Sequence, residues 1–93
     1  MAELPLRVPV NLVAADHAVW SGEVKMVTAT TTEGELGVLP GHAPLLGRLV
    51  DGSQVKLETD DGDRVFEVHG GYLSVTEDGV SMPVASAKEV TPV

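Results

Sequence analysis

The chain has 93 residues, no cysteine, and fourteen acidic against six basic side chains, for a formal charge of −8. That length fits one domain and not two, and the missing thiols exclude disulfides, cysteine-ligated zinc and thiol catalysis. The acidic balance opposes nucleic acid and anionic lipid, both of which recruit Lys and Arg. No apolar run approaches the ~20 residues that span a bilayer. Met1-Ala2-Glu3-Leu4-Pro5 has no basic n-region followed by an apolar stretch, so no signal peptide is visible. An intracellular soluble protein is expected, and at a membrane another protein would have to hold it.

Leu6-Arg7-Val8-Pro9-Val10-Asn11-Leu12 alternates with period 2, as a half-buried strand does. Pro9 has no N–H to give, which predicts a sheet edge or a bulge there. Ala15-Asp16-His17 reads as a turn, and the Val- and Thr-rich run Glu23–Thr32 as one long strand. A short strand fits Glu35–Leu39. Further strands are expected at Leu45–Val50, Ser53–Thr59, Arg64–His69, Tyr72–Glu77 and Val80–Ala85. Asp51-Gly52, Asp61-Gly62 and Asp78-Gly79 punctuate them, and Asp-Gly suits the two central positions of a type I′ hairpin turn. No segment carries a sustained 3.6-residue apolar period. The expected fold is an all-β sandwich or barrel in a single domain over residues 1–93, with its core at about 6–86 and a short tail at 87–93.

The chain is organised around Glu33-Gly34-Glu35-Leu36-Gly37-Val38-Leu39-Pro40-Gly41-His42-Ala43-Pro44-Leu45-Leu46-Gly47. Glycine supplies positive φ and proline fixes φ, so this is a shaped segment, with Pro40-Gly41 suited to the centre of a type II turn. It holds the adjacent apolar pairs Val38-Leu39 and Leu45-Leu46, and Leu49-Val50 follows. Neighbours in a strand point to opposite faces, so either these strands are buried on both sides, or the pairs sit in turns, or, as is expected here, one member of each pair lies on an outer patch that a partner covers.

Catalytic and metal chemistry find no foothold. His17, His42 and His69 lie 25 and 27 residues apart, which matches no metal motif. Asp60-Asp61-Gly62-Asp63 lacks the twelve-residue frame of a calcium loop and reads as a solvated hairpin tip. There is no G-x-S-x-G, no phosphate-binding glycine loop, and with three aromatics no base-stacking platform. A non-catalytic protein without cofactor is expected.

Three stretches together resemble a known family. Glu33–Leu46 is similar to the most characteristic motif of the ε subunit of F-type ATP synthases, called δ in mitochondria. Val68-His69-Gly70-Gly71-Tyr72-Leu73-Ser74-Val75 resembles its second marker, and Val19-Trp20-Ser21-Gly22-Glu23-Val24 its first. The markers stand in the family's order across roughly residues 6–90. The family's C-terminal helical hairpin has no counterpart here. The start at Met1 favours a naturally short subunit over a truncated one.

The resemblance implies a flattened β-sandwich of about ten short strands that sits in the central stalk, couples rotation to ATP synthesis and catalyses nothing itself. It implies two partners, the γ subunit and the c ring, at the cytoplasmic face of a bacterial cell membrane, reached only through those partners. The ring's polar loops carry basic residues, so Glu33, Glu35 and His42 are expected to contact the ring; Glu35 and His42 match the family's contact positions. Val38, Leu39, Leu45 and Leu46 are expected to contact γ. Gly70-Gly71 is expected to serve close packing. Nucleotide binding and auto-inhibition belong to the hairpin in this family, so neither is expected. A free-standing β-sandwich that binds a ligand or peptide is the alternative, and a metal-dependent cupin-like enzyme a third.

Overall fold

The computed structural model describes residues 7–90, and everything among them that is regular is strand. β1 (Val8–Ala14) has the alternating burial its sequence predicts: Val8, Val10, Leu12 and Ala14 face inward, and Pro9, Asn11 and Val13 face out. Leu6, expected to begin this strand, and Thr91-Pro92-Val93 of the expected tail lie outside the described residues. β2 (His17–Val24) returns antiparallel to β1, with a register shift between Leu12 and Val13. β1 is not an edge strand, and Pro9 does not lie at that bulge. β1 sits between β2 and β8 (Gly79–Val90), but its parallel ladder with β8 begins only at Val10–Val80. The missing N–H therefore falls where the strand has a single neighbour.

The long strand expected over Glu23–Thr32 is broken. β2 ends at Val24 and β3 runs Met26–Thr31. Between them the Lys25 amide donates to the Glu58 carbonyl at 2.7 Å, and the chain passes from one layer to the other. Val24 and Val27 are both fully buried at a spacing of three, which a flat strand cannot achieve. β4 (Gly34–Val38) pairs with β3, β5 (Leu45–Arg48) pairs with β7, and β6 (Gln54–Thr59) lies between β3 and β7.

The strands expected at Arg64–His69 and Tyr72–Glu77 are one, β7 (Gly62–Thr76), which bends at Gly70-Gly71. Its first half pairs with β6 and the end of β8, and its second half with β5 and the start of β8. One layer is thus β2-β1-β8-β7-β5 and the other β4-β3-β6-β7-β8. β7 and β8 serve both, which is how eight strands do the work of about ten shorter ones. β8 also extends to Val90, with Ala87 opposite Val68, so residues 87–90 are strand where a tail was expected.

Gly71 permits the crossing. A Cβ there would lie 2.3 Å from the Pro83 carbonyl oxygen and 2.7 Å from the Val84 Cα, a close approach of the kind the glycine pair predicts. Between the layers lies an aliphatic core of Val10, Leu12, Val24, Val27, Val55, Leu57, Val68, Leu73 and Met82, closed by Phe66.

Three hairpins are closed by one device. Thr31-Thr32-Glu33-Gly34, Thr59-Asp60-Asp61-Gly62 and Thr76-Glu77-Asp78-Gly79 each place two residues in the turn and a glycine after it, with φ of 120°, 120° and 131°. The threonine hydroxyl oxygen accepts the amide two residues on, at 3.1–3.2 Å in all three. Among the described residues none other than glycine has positive φ, so the type I′ reading is corrected at Asp51-Gly52, where only Gly52 (φ 80°) is left-handed, and at the Asp61-Gly62 and Asp78-Gly79 hairpins. The acids sit in the turn at ordinary φ, and the glycine opens the next strand directly opposite the threonine, with no register shift.

Candidate functional site

Pro40-Gly41 forms the turn its composition predicts: the His42 amide donates to the Leu39 carbonyl at 3.1 Å, with Gly41 at φ 82°. This turn and the Thr31–Gly34 hairpin lie at opposite ends of β4. Six residues of extended chain at about 3.3 Å each put roughly 20 Å between Glu33 and Leu39. The expected site residues therefore divide between two grooves.

The first groove, about 430 Å³, lies between the β3–β4 hairpin and β5 and holds Glu33, Glu35, Leu36, Leu45, Leu46 and Arg48. Both acids are exposed, with Glu35 opposite Thr30 in the ladder. The Thr32 amide donates to the Arg48 carbonyl, and the Val50 amide to the Thr30 carbonyl, so backbone hydrogen bonds fix the hairpin against β5. Arg48 stacks over the Tyr72 ring at 5.7 Å and donates to its hydroxyl at 3.3 Å. That leaves an acidic lip on one side of exposed Leu46 and an anchored cation on the other.

The second groove, about 370 Å³, is shaped by Leu39, Pro40, His42 and Pro44 against Arg7, Pro9 and Glu77. His42 is half-buried, with Nδ1 2.7 Å from the Ala43 carbonyl oxygen. A carbonyl only accepts, so Nδ1 carries a proton, and Nε2 is left to accept from a partner or, when charged, to donate. Neither of these grooves contains both Glu35 and His42, which the expected ring contact had placed together.

Each apolar pair splits as the period-2 argument requires. Val38 is 1% exposed and Leu39 56%; Leu45 is half-buried and Leu46 73% exposed; Leu49 is 3% exposed and Val50 37%. Val38 is thereby corrected from a contact residue to a core residue, since its side chain points between the layers. Arg48 and Tyr72 were not anticipated as site residues. Their partnership is set by the β5–β7 register, which places Arg48 directly opposite Tyr72 and which no local pattern encodes. Among the described residues no set of three His, Asp or Glu side chains is arranged to hold a metal, and no helix is long and apolar enough to cross a membrane.

Residues 7–90 match the family described as ATP synthase, Delta/Epsilon chain, beta-sandwich domain. The chain is 52% identical over 79 residues to an ATP synthase epsilon chain of Rhodococcus opacus (strain B4), covering 84% of this chain and 65% of that one. It is 47% identical over 85 residues to an ATP synthase epsilon chain of Frankia casuarinae, covering 91% of this chain and 98% of the relative. The chain thus spans about two thirds of the first relative and nearly all of the second. Among solved structures, a chain of the Euglena gracilis mitochondrial ATP synthase (OSCP/F1/c-ring) superposes with a TM-score of 0.85 at 26% identity, over 95% of this chain and 56% of that one. A chain of the Tetrahymena thermophila mitochondrial ATP synthase central stalk and c ring shares the fold, with a TM-score of 0.73 at 20% identity.

Proposed function

Because the chain belongs to the β-sandwich family of ATP synthase delta and epsilon chains, we propose that it is a non-catalytic central-stalk subunit that fixes γ to the c ring, so that rotation reaches the catalytic head. The observation that carries this reading is the outward turn of Leu39 and Leu46, each beside a buried or half-buried neighbour, on a body whose two layers share two strands. Leu46, with half-buried Leu45 beside it, and Leu39 in the second groove supply the apolar contacts for γ. Glu33, Glu35 and His42 supply polar contacts to the ring, whose loops the family resemblance makes basic. The work needs no cofactor and no nucleotide. Attachment to the cytoplasmic face of a bacterial membrane runs through these partners.

The test is copurification with γ and the c ring from the same source. Recovery of both with the tagged chain is the expected result. Recovery of neither, by a folded chain, would leave the free-standing ligand- or peptide-binding module.

A further inference from the structure

His69 is the last residue of β7 before the strand bends, and its ring lies between two carboxylates. Nε2 is 2.9 Å from Glu67 Oε2 and Nδ1 is 3.4 Å from Asp51 Oδ1. The same Asp51 oxygen accepts the Gly70 amide at 2.9 Å. That amide belongs to the bend itself: the β7–β8 ladder runs from His69–Ser86 to Gly71–Val84 and passes over Gly70, which has φ 57°. Asp51 therefore does two things at once, satisfying the backbone donor that the bend releases and facing the histidine beside it.

We propose that Glu67, His69 and Asp51 form a proton-operated clasp that fastens the turn after β5 to the bend of the strand joining the two layers. The reason is donor count. A charged imidazole donates from both nitrogens and can hold both carboxylates, whereas a neutral one has a single N–H and turns a lone pair toward one of them. Loss of the proton must therefore release one side. The shorter Glu67 contact keeps the remaining N–H, so Asp51 is the side released, and its carboxylate is then held over the bend by the Gly70 amide alone, a hydrogen bond that opens more readily.

The surroundings favour the closed form. The Glu67 hydrogen bond, then that of Asp51, holds His69 above its ordinary value of 6.5, and the His69 hydrogen bond chiefly holds Glu67 below its own of 4.5. Lys88 faces Glu67 across the ladder from β8 and competes for it, while Gln54 on β6 and Ser86 on β8 bring no charge. Arg48, Thr32 and Tyr72 share a groove with Asp51 and Gly70. The clasp thus sits beside the Arg48–Tyr72 stack, and its opening alters the wall of that groove.

The experiment is an NMR pH titration of the whole chain, following the His69 ring and the hydrogen-exchange protection of the Gly70 amide, corrected for intrinsic exchange, over about pH 5 to 8. The expected result is a His69 midpoint above 6.5, with Gly70 protection falling severalfold across the same midpoint. Asp51→Asn should lower the midpoint and flatten the Gly70 profile. Glu67→Gln should lower the midpoint while the profile moves with it. A His69 midpoint at or below 6.5, or Gly70 protection independent of pH in the unaltered chain, overturns the proposal without recourse to the variants.

Discussion

At the scale of single residues, position within an apolar pair decides what a substitution does. Leu46 is three-quarters exposed, so Leu46→Asp should leave the fold within about 0.5 kcal/mol of its original stability. Against a partner the same change buries an unpaired charge at a cost of several kcal/mol, so γ affinity should fall by orders of magnitude. Val38→Asp puts that charge between the layers and should unfold the chain instead. Melting curves and γ affinity for the two variants check this; a folded Leu46→Asp chain that binds γ normally removes Leu46 from the contact surface. Glu35→Lys is a milder case. In the proposed ring contact an exposed pair with a basic loop would contribute about 0–1 kcal/mol, so seating on the ring should weaken slightly, most visibly at low salt, with γ binding intact.

At the scale of elements, the strands were legible wherever alternation holds and misread wherever the chain changes layer. β1 can be read directly from Val8, Val10, Leu12 and Ala14. The crossings between β2 and β3 and within β7 are marked instead by a change of parity. Buried Val24 is followed by buried Val27, and buried Phe66 and Val68 by buried Leu73 and Val75. An odd spacing between inward residues means that the strand has turned over. The same signal is present in the sequence, but it separates a crossing from a loop only once the partner strands are known. The acids and leucines of the site were legible as types. Their division between two grooves depended on β4 being extended, which places its two ends far apart. Two consequences can be measured at this scale. Gly71→Ala forces a Cβ against the β8 backbone and should cost about 1–3 kcal/mol, lowering the melting temperature by roughly 4–8 °C per kcal/mol. Thr59→Val keeps the shape of a hairpin threonine but removes the oxygen that accepts the Asp61 amide and donates to the Gly62 carbonyl at 2.6 Å. It should cost no more than about 1.5 kcal/mol and leave the register unchanged.

At the scale of the whole molecule, stability should carry the mark of the paired titrating groups. His69 is held above its ordinary value, so its contribution is fully present below pH 6.5 and fades as pH rises through the folded-state value. Glu67 is held below its ordinary value, so its contribution is present above pH 4.5 and fades as pH falls through the lower folded-state value. Between these limits both are engaged. The melting temperature lost in Glu67→Gln should therefore be largest at about pH 5–6 and shrink toward pH 8, which thermal melts across that range will show.

The parallel pairing of β1 with β8 joins residues that synthesis separates widely, since Leu12 lies beside Met82. During translation the β1–β2 hairpin emerges early, with the inward row of Val8, Val10, Leu12 and Ala14 uncovered. Nothing made before β8 can pair with the open edge of β1. The ribosome must release nearly the whole domain before its first strand gains a second neighbour, and until then that row is a surface on which nascent chains can aggregate. Slow folding is thus written into the strand order, and a nascent chain stalled before Gly79 should be degraded rather than assembled.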